Sequence, residues 1–101
     1  MAGFEVRAFN HATGDTAAIL GPGRSRIKSV FVYATAVTTF QFKNGSAAGD
    51  VLFDVTCAAG STDFFIPADG ILAADGCFVS AMTGTGSKIT VILGEFYEAL
   101  L

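Results

Sequence analysis

Few side chains in this sequence could carry chemistry. His11 is the single histidine, and no serine or cysteine stands near it at the spacing of a nucleophile and its base. No Gly-x-Ser-x-Gly elbow occurs, so the strand–turn–helix that presents a hydrolase nucleophile has no counterpart. Gly84-Thr85-Gly86-Ser87-Lys88 holds the glycine and lysine of a phosphate loop, but in the order Gly-Ser-Lys. A Walker loop must open a helix so that backbone N–H groups meet phosphate. Here Ile89, Val91 and Leu93 follow at a period of two, so the stretch reads as a hairpin turn. Asp63, Asp69 and Asp75 could offer carboxylates to calcium, which wants six or more oxygens. Asp69 and Asp75 each sit in Ala-Asp-Gly, where an aspartate bonds its own backbone, and the turn reading is preferred. Cys57 and Cys77 alternate in step with Val55 and Val79, as two inward thiols acting as small hydrophobes would. A disulfide between neighbouring strands is the alternative, and zinc would need two further ligands. Asn44-Gly45-Ser46 fits a glycosylation pattern and is also the strongest turn signal in the chain. No catalytic, cofactor or metal residue is expected, so the chain reads as something other than an enzyme, with no small-molecule substrate.

The bulk composition sets what must hold such a chain together. Its 101 residues are 51% hydrophobic and 15% charged, with ten Phe and no Trp. A single domain over 1–101 can bury most of its apolar surface without metal or disulfides. So small a domain has little interior, and the apolar surplus is expected in subunit or partner interfaces. The net charge of −3 argues against nucleic acid, which needs a basic surface. No run of 18 apolar residues is present, so no membrane helix is expected. Glu5 and Arg7 interrupt the first apolar stretch, so no signal peptide is expected and synthesis in a cytoplasm is.

The elements read as strands throughout. Val51, Phe53, Val55 and Cys57 alternate with Asp54 and Thr56, the period of a half-buried strand. Ala58-Ala59-Gly60-Ser61 breaks that pattern, and Phe64-Phe65-Ile66-Pro67 resumes it up to the proline. Turns at Ala68-Asp69-Gly70 and Ala74-Asp75-Gly76 precede strands expected at Cys77–Met82 and Lys88–Leu93. Towards the N-terminus, residues 1–12 hold an arm or a first strand ending near Phe9, with a turn over 10–15. Thr16–Leu20 makes a second strand, closed by Gly21-Pro22-Gly23. Arg24, Arg26 and Lys28 share one side of an extended segment. Ser29–Ala34 is apolar on both faces, as a strand covered on both sides would be. Val37–Lys43 turns Phe40 and Phe42 inward. Residues 95–101 form a tail after Gly94. Seven or eight short strands at 8–12-residue spacing predict an all-β fold, a small antiparallel sandwich or barrel of jelly-roll type.

Alternation also nominates contact surfaces. Leu52, Phe78, Met82 and Ile92 point opposite to the core set Phe53, Val79 and Val91. Phe4, Val6 and Phe9 at one end, and Phe96, Tyr97, Leu100 and Leu101 at the other, are apolar without an evident strand partner. Arg24, Arg26 and Lys28 form either a docking stripe for an acidic surface or a solvated edge that discourages strand addition. A homo-oligomer is expected.

Several stretches carry a likeness. Phe40-Gln41-Phe42-Lys43-Asn44-Gly45, the strand opened by Gly49-Asp50, Gly76-Cys77-Phe78-Val79 and Ile92-Leu93-Gly94 all contribute. The most specific parts are Ile66-Pro67-Ala68-Asp69-Gly70-Ile71 and Thr90-Val91. Over roughly Lys28–Gly94 the chain resembles small β-sandwich virion proteins of tailed bacteriophages, of the capsid decoration or cement type. The resemblance implies a homotrimer that sits on the major capsid protein outside the shell, reinforces capsomer junctions and has no catalytic residues. Other virion parts (tail, fibre or head-completion modules) share these signatures, and a carbohydrate-binding module is the alternative from another class.

Overall fold

A computed structural model describes residues 6–21, 23–66 and 70–94. They form nine strands: β1 (Val6–Ala12), β2 (Ala18–Leu20), β3 (Ser25–Ala34), β4 (Thr38–Asn44), β5 (Val51–Cys57), β6 (Gly60–Phe65), β7 (Ile71–Ala73), β8 (Cys77–Val79) and β9 (Lys88–Gly94). One sheet runs β1-β9-β3-β6, with β7 also on β3, and the other runs β2-β8-β4-β5. All pairings are antiparallel. Leaving β7 aside, each sheet has four strands, and the order is that of a jelly roll, two Greek keys folded into a sandwich. The all-β sandwich expected from the alternation is thus the fold.

The core fills the space between the sheets. Ile27, Val30, Val32, Ile89, Val91 and Leu93 face it from the first sheet, and Phe40, Phe42, Val55 and Val79 from the second, all nearly or fully buried. An aromatic chain bridges the layers. Phe40 and Phe42 meet edge to face at 5.5 Å, Phe42 stacks on Phe53 at 6.3 Å, and Phe53 meets Phe64 of β6 at 5.6 Å. Such pairs add about 0.5–1.5 kcal/mol each beyond the area they bury.

Two bulges decide which side chains face that core. The β3–β9 register jumps between Ile27 and Ser29, leaving Lys28 as the extra residue. A bulge reverses the alternation, so Ser25 and Ile27 point inward before it, and Val30, Val32 and Ala34 after it. Ser25–Lys28 and Ser29–Ala34 are therefore one strand, with Arg24 just before it. A second jump pairs Phe42 with Phe53 but Lys43 with Val51. Leu52 is the extra residue and packs on the core, while Val51 is exposed. This corrects both expectations for the start of β5, where Val51 was to face in and Leu52 out.

Other boundaries shift for local reasons. β1 continues to Ala12, through the expected turn, because it pairs along its length with β9. Residues 6–12 are thus a strand, and Phe9 is half-buried against the core, not part of an arm. β6 starts at Gly60, opposite Ala34. β7 was not expected. It takes the half of β3 that precedes the bulge, Ser25–Ile27, and Ile66 N–H donates to Lys28 O at 3.1 Å where β6 leaves off. β8 ends at Val79, although Ser80 N–H to Gln41 O (2.9 Å) and Thr83 N–H to Thr39 O (3.1 Å) keep the chain on β4. That irregular course turns Met82 into the core, 6% exposed, so it is no outer-face residue.

Each end of the sandwich is closed by polar contacts. At one, Asn44 Nδ2 donates to Asp75 Oδ2 (3.0 Å) and Asp75 N–H donates to Asn44 Oδ1 (2.8 Å), joining the two turns. At the other, the Thr38 and Ser87 hydroxyls lie 2.7 Å apart and buried, and Thr35 N–H donates to Ser87 Oγ at 3.1 Å. Thr13 Oγ1 donates to Gly84 O and Thr35 Oγ1 to Thr85 O, tying the 84–87 turn down from both sides.

Candidate functional site

The titratable groups best suited to chemistry lie apart in the fold. His11 is buried, with Nδ1 4.0 Å from Asp15 Oδ2 and Nε2 without a hydrogen-bond partner. Asp75 is engaged by Asn44, Asp63 lies on the outer face of the first sheet, and Asp69 lies outside the described residues. Among the described residues, no three His, Cys, Asp or Glu side chains gather as a metal site would require. The 84–87 segment is a turn leading into β9 but not the expected hairpin, because β8 and β9 belong to different sheets.

Both cysteines are buried and free. Cys57 pairs with Thr38 and Cys77 with Asn44, at opposite ends of β4. Six positions at ~3.3 Å put them about 20 Å apart, far beyond the reach of a disulfide. Burial pushes the Cys77 thiol up to about 12, so almost no thiolate exists at pH 8, and the thiolate is the reactive form. A colorimetric thiol assay at pH 8 is expected to find Cys77 silent in the native protein. Two thiols per chain should appear in denaturant, with or without prior reductant.

The outer face of the first sheet is the surface that stands out. Reading across β1, β9, β3 and β6, one row is Ala8, Ile92, Ser29 and Phe65. The next is Asn10, Thr90, Phe31 and Asp63, and the next Ala12, Lys88, Tyr33 and Ser61. Phe65 is 74% exposed, Tyr33 52%, and Phe31 37%. Val6, also exposed, lies at the end of β1 on the same side. The Phe31 and Phe65 rings meet edge to face at 6.1 Å, so this aromatic pair packs on itself in the open. Lys88 Nζ sits 5.9 Å from the Tyr33 ring centroid, a contact of about 0.5–1 kcal/mol at an exposed site. A shallow depression of about 190 Å³ lies between Phe31, Tyr33, Ser61, Asp63, Lys88 and Thr90. Thr90 Oγ1 donates to Asn10 Oδ1 at 2.8 Å, fixing the β1 side of the face.

The nominated contact residues distribute unevenly over the sandwich. Ile92 does lie on this face, half-buried in the Phe65 row. Phe78 faces outward from the other sheet, half-buried, with Ile19 and Lys43 as its register partners. Arg24 is exposed just before β3, Arg26 is half-buried opposite Gly94, and Lys28 is the bulged residue. Phe4, Phe96, Tyr97, Leu100 and Leu101 lie outside the described residues. Phe31, Tyr33 and Phe65 were not nominated. The signal lies in the two-sided apolar run 29–34, whose pattern alone suits a strand covered on both faces. Its outer half is instead open in the single chain.

Compared with known proteins, the chain matches no family model, no curated protein and no solved structure.

Proposed function

We propose that the protein is a structural component of a tailed-phage virion, of the capsid decoration or cement type. It acts as a homo-oligomer, binds the major capsid protein on the outside of the shell and stabilises it. The observation that carries this reading is the open aromatic face of the first sheet, where Phe65, Tyr33 and Phe31 stand exposed on a jelly roll. Exposed apolar area of this kind belongs to interaction surfaces. The likeness of Lys28–Gly94 to decoration proteins supplies the partner. A shell offers the same contact many times, so a modest interface repeated over a lattice reinforces it strongly. Particles stripped of the protein should keep their shape yet release their contents at lower temperature than complete ones, and adding back purified protein should restore the difference. Equal heat resistance of stripped and complete particles, or recovery of the protein only with tails, would refute the proposal.

A further inference from the structure

We infer that the outer face of the first sheet is covered by the same face of a second copy, related by a half-turn about an axis along β3. The inference rests on the reading of this face as an assembly surface and names its occupant. The register fixes what such a half-turn would bring together. It keeps each row level and exchanges left for right about β3, so the partner's β9 lies over β6 and its β6 over β9. Phe65 then meets the partner's Ile92, apolar on apolar, and Phe31 meets its own counterpart on the axis.

The charges fall into place under the same operation. Lys88 of the second copy comes to lie over Ser61, one alternation from Asp63 on β6. That step is about 6.7 Å along a strand, within reach of a lysine side chain. Symmetry makes the contact twice. Asp63 has no ion-pair or hydrogen-bond partner among the described residues, and Lys88 has only the Tyr33 ring. A half-turn about an axis lying across the strands through the Phe31 row does worse, because it sets Asp63 over its own counterpart and Phe65 over Ser61. The arrangement along β3 is also the aligned packing that two sheets adopt face to face. Copies would thus pair in twos, in place of the trimer that the family likeness implies.

The test is sedimentation equilibrium of the purified full chain without any shell, with circular dichroism confirming that each variant folds. Wild type should have twice the 10.4 kDa chain mass. Phe65→Ser should weaken pairing about tenfold or more, as truncating an aromatic side chain packed on its partner does. Lys88→Asp and Asp63→Lys should each weaken it about tenfold at low salt, and the two together should restore most of it, because like charges repel and the swap re-pairs them. A monomeric or trimeric wild type, or a double swap no better than the single changes, would overturn the inference. A monomer that pairs only after deletion of 95–101 would make the chain's own C-terminal segment the occupant, and would overturn it too. Binding to stripped particles is measured alongside. A monomer that still binds shells through Phe65 refutes the pairing alone, whereas a dimer that binds no shell refutes the virion role alone.

Discussion

Phe42→Ala is expected to cost about 3–5 kcal/mol, the range for emptying a large aromatic site in a packed core. Phe42 is fully buried and touches two further rings, Phe40 edge to face and Phe53 stacked. It also stands beside the β5 bulge, where the register passes from Phe53 to Val51. Truncation therefore leaves a cavity and loosens the packing that holds the bulge in place. Domains of this size have only about 5–15 kcal/mol of stability in total, so the variant should be marginal. Urea titration should show a much lower midpoint with an unchanged slope. The outward-facing Phe78→Ala serves as control, and a half-exposed side chain should cost far less. Equal midpoints for the two variants would mean that the aromatic chain between the sheets is not what holds them.

The second large effect is expected at Gly84. Its φ of +95° lies where side chains with a Cβ are strained, and an added Cβ would sit 2.4 Å from Thr38 Oγ1 and 2.7 Å from Val37 O. Thr38 cannot yield cheaply, because its hydroxyl is half of the buried Thr38–Ser87 pair. Gly84→Ala should then cost about 1–2 kcal/mol for the backbone and about 1–3 kcal/mol more for disrupting buried hydrogen bonds. Gly14 separates the two contributions. It has a similar φ of +100°, with nothing within 4 Å of an added Cβ. Gly14→Ala should show only the backbone cost, and the gap between the two melting temperatures measures the collision with Thr38. No gap would mean that the 84–87 turn can move away from β4.

The sandwich was legible in the sequence because its evidence is local. Alternation along β4, β5 and β9 and glycine-marked turns need no knowledge of the partner strand. The bulges were not legible in that way. Nothing in Val51-Leu52-Phe53 says which of three apolar residues is the extra one, since that depends on where β4 ends and on the space beside Phe42. β7 was missed because three residues carry no period, and its partner is the half of the β3 edge that β6 leaves free beyond Ser29. Met82 was misplaced because alternation was extended from Val79 through Ser80 and Ala81, where the chain no longer lies as a strand. The candidate surface was half legible. Phe31 and Tyr33 announce a strand with two apolar faces, but only the strand order shows that one of those faces meets no second layer. Ile92 was assigned to that side by alternation alone.

The place of β9 bears on how the chain comes to be folded at all. It is the last described strand in sequence, yet it lies between β1 and β3, at the middle of the first sheet. While the protein is being synthesised, β1 has no neighbour, and β3 has only β6 and β7. The first sheet cannot close until residues up to 94 have left the ribosome, so β1 waits while every other described strand is made. Long-range pairings of this kind close slowly and leave apolar edges open meanwhile. A nascent chain lacking β9 therefore exposes both flanks of its unfinished sheet, and β9 is the keystone that commits the molecule to its native state.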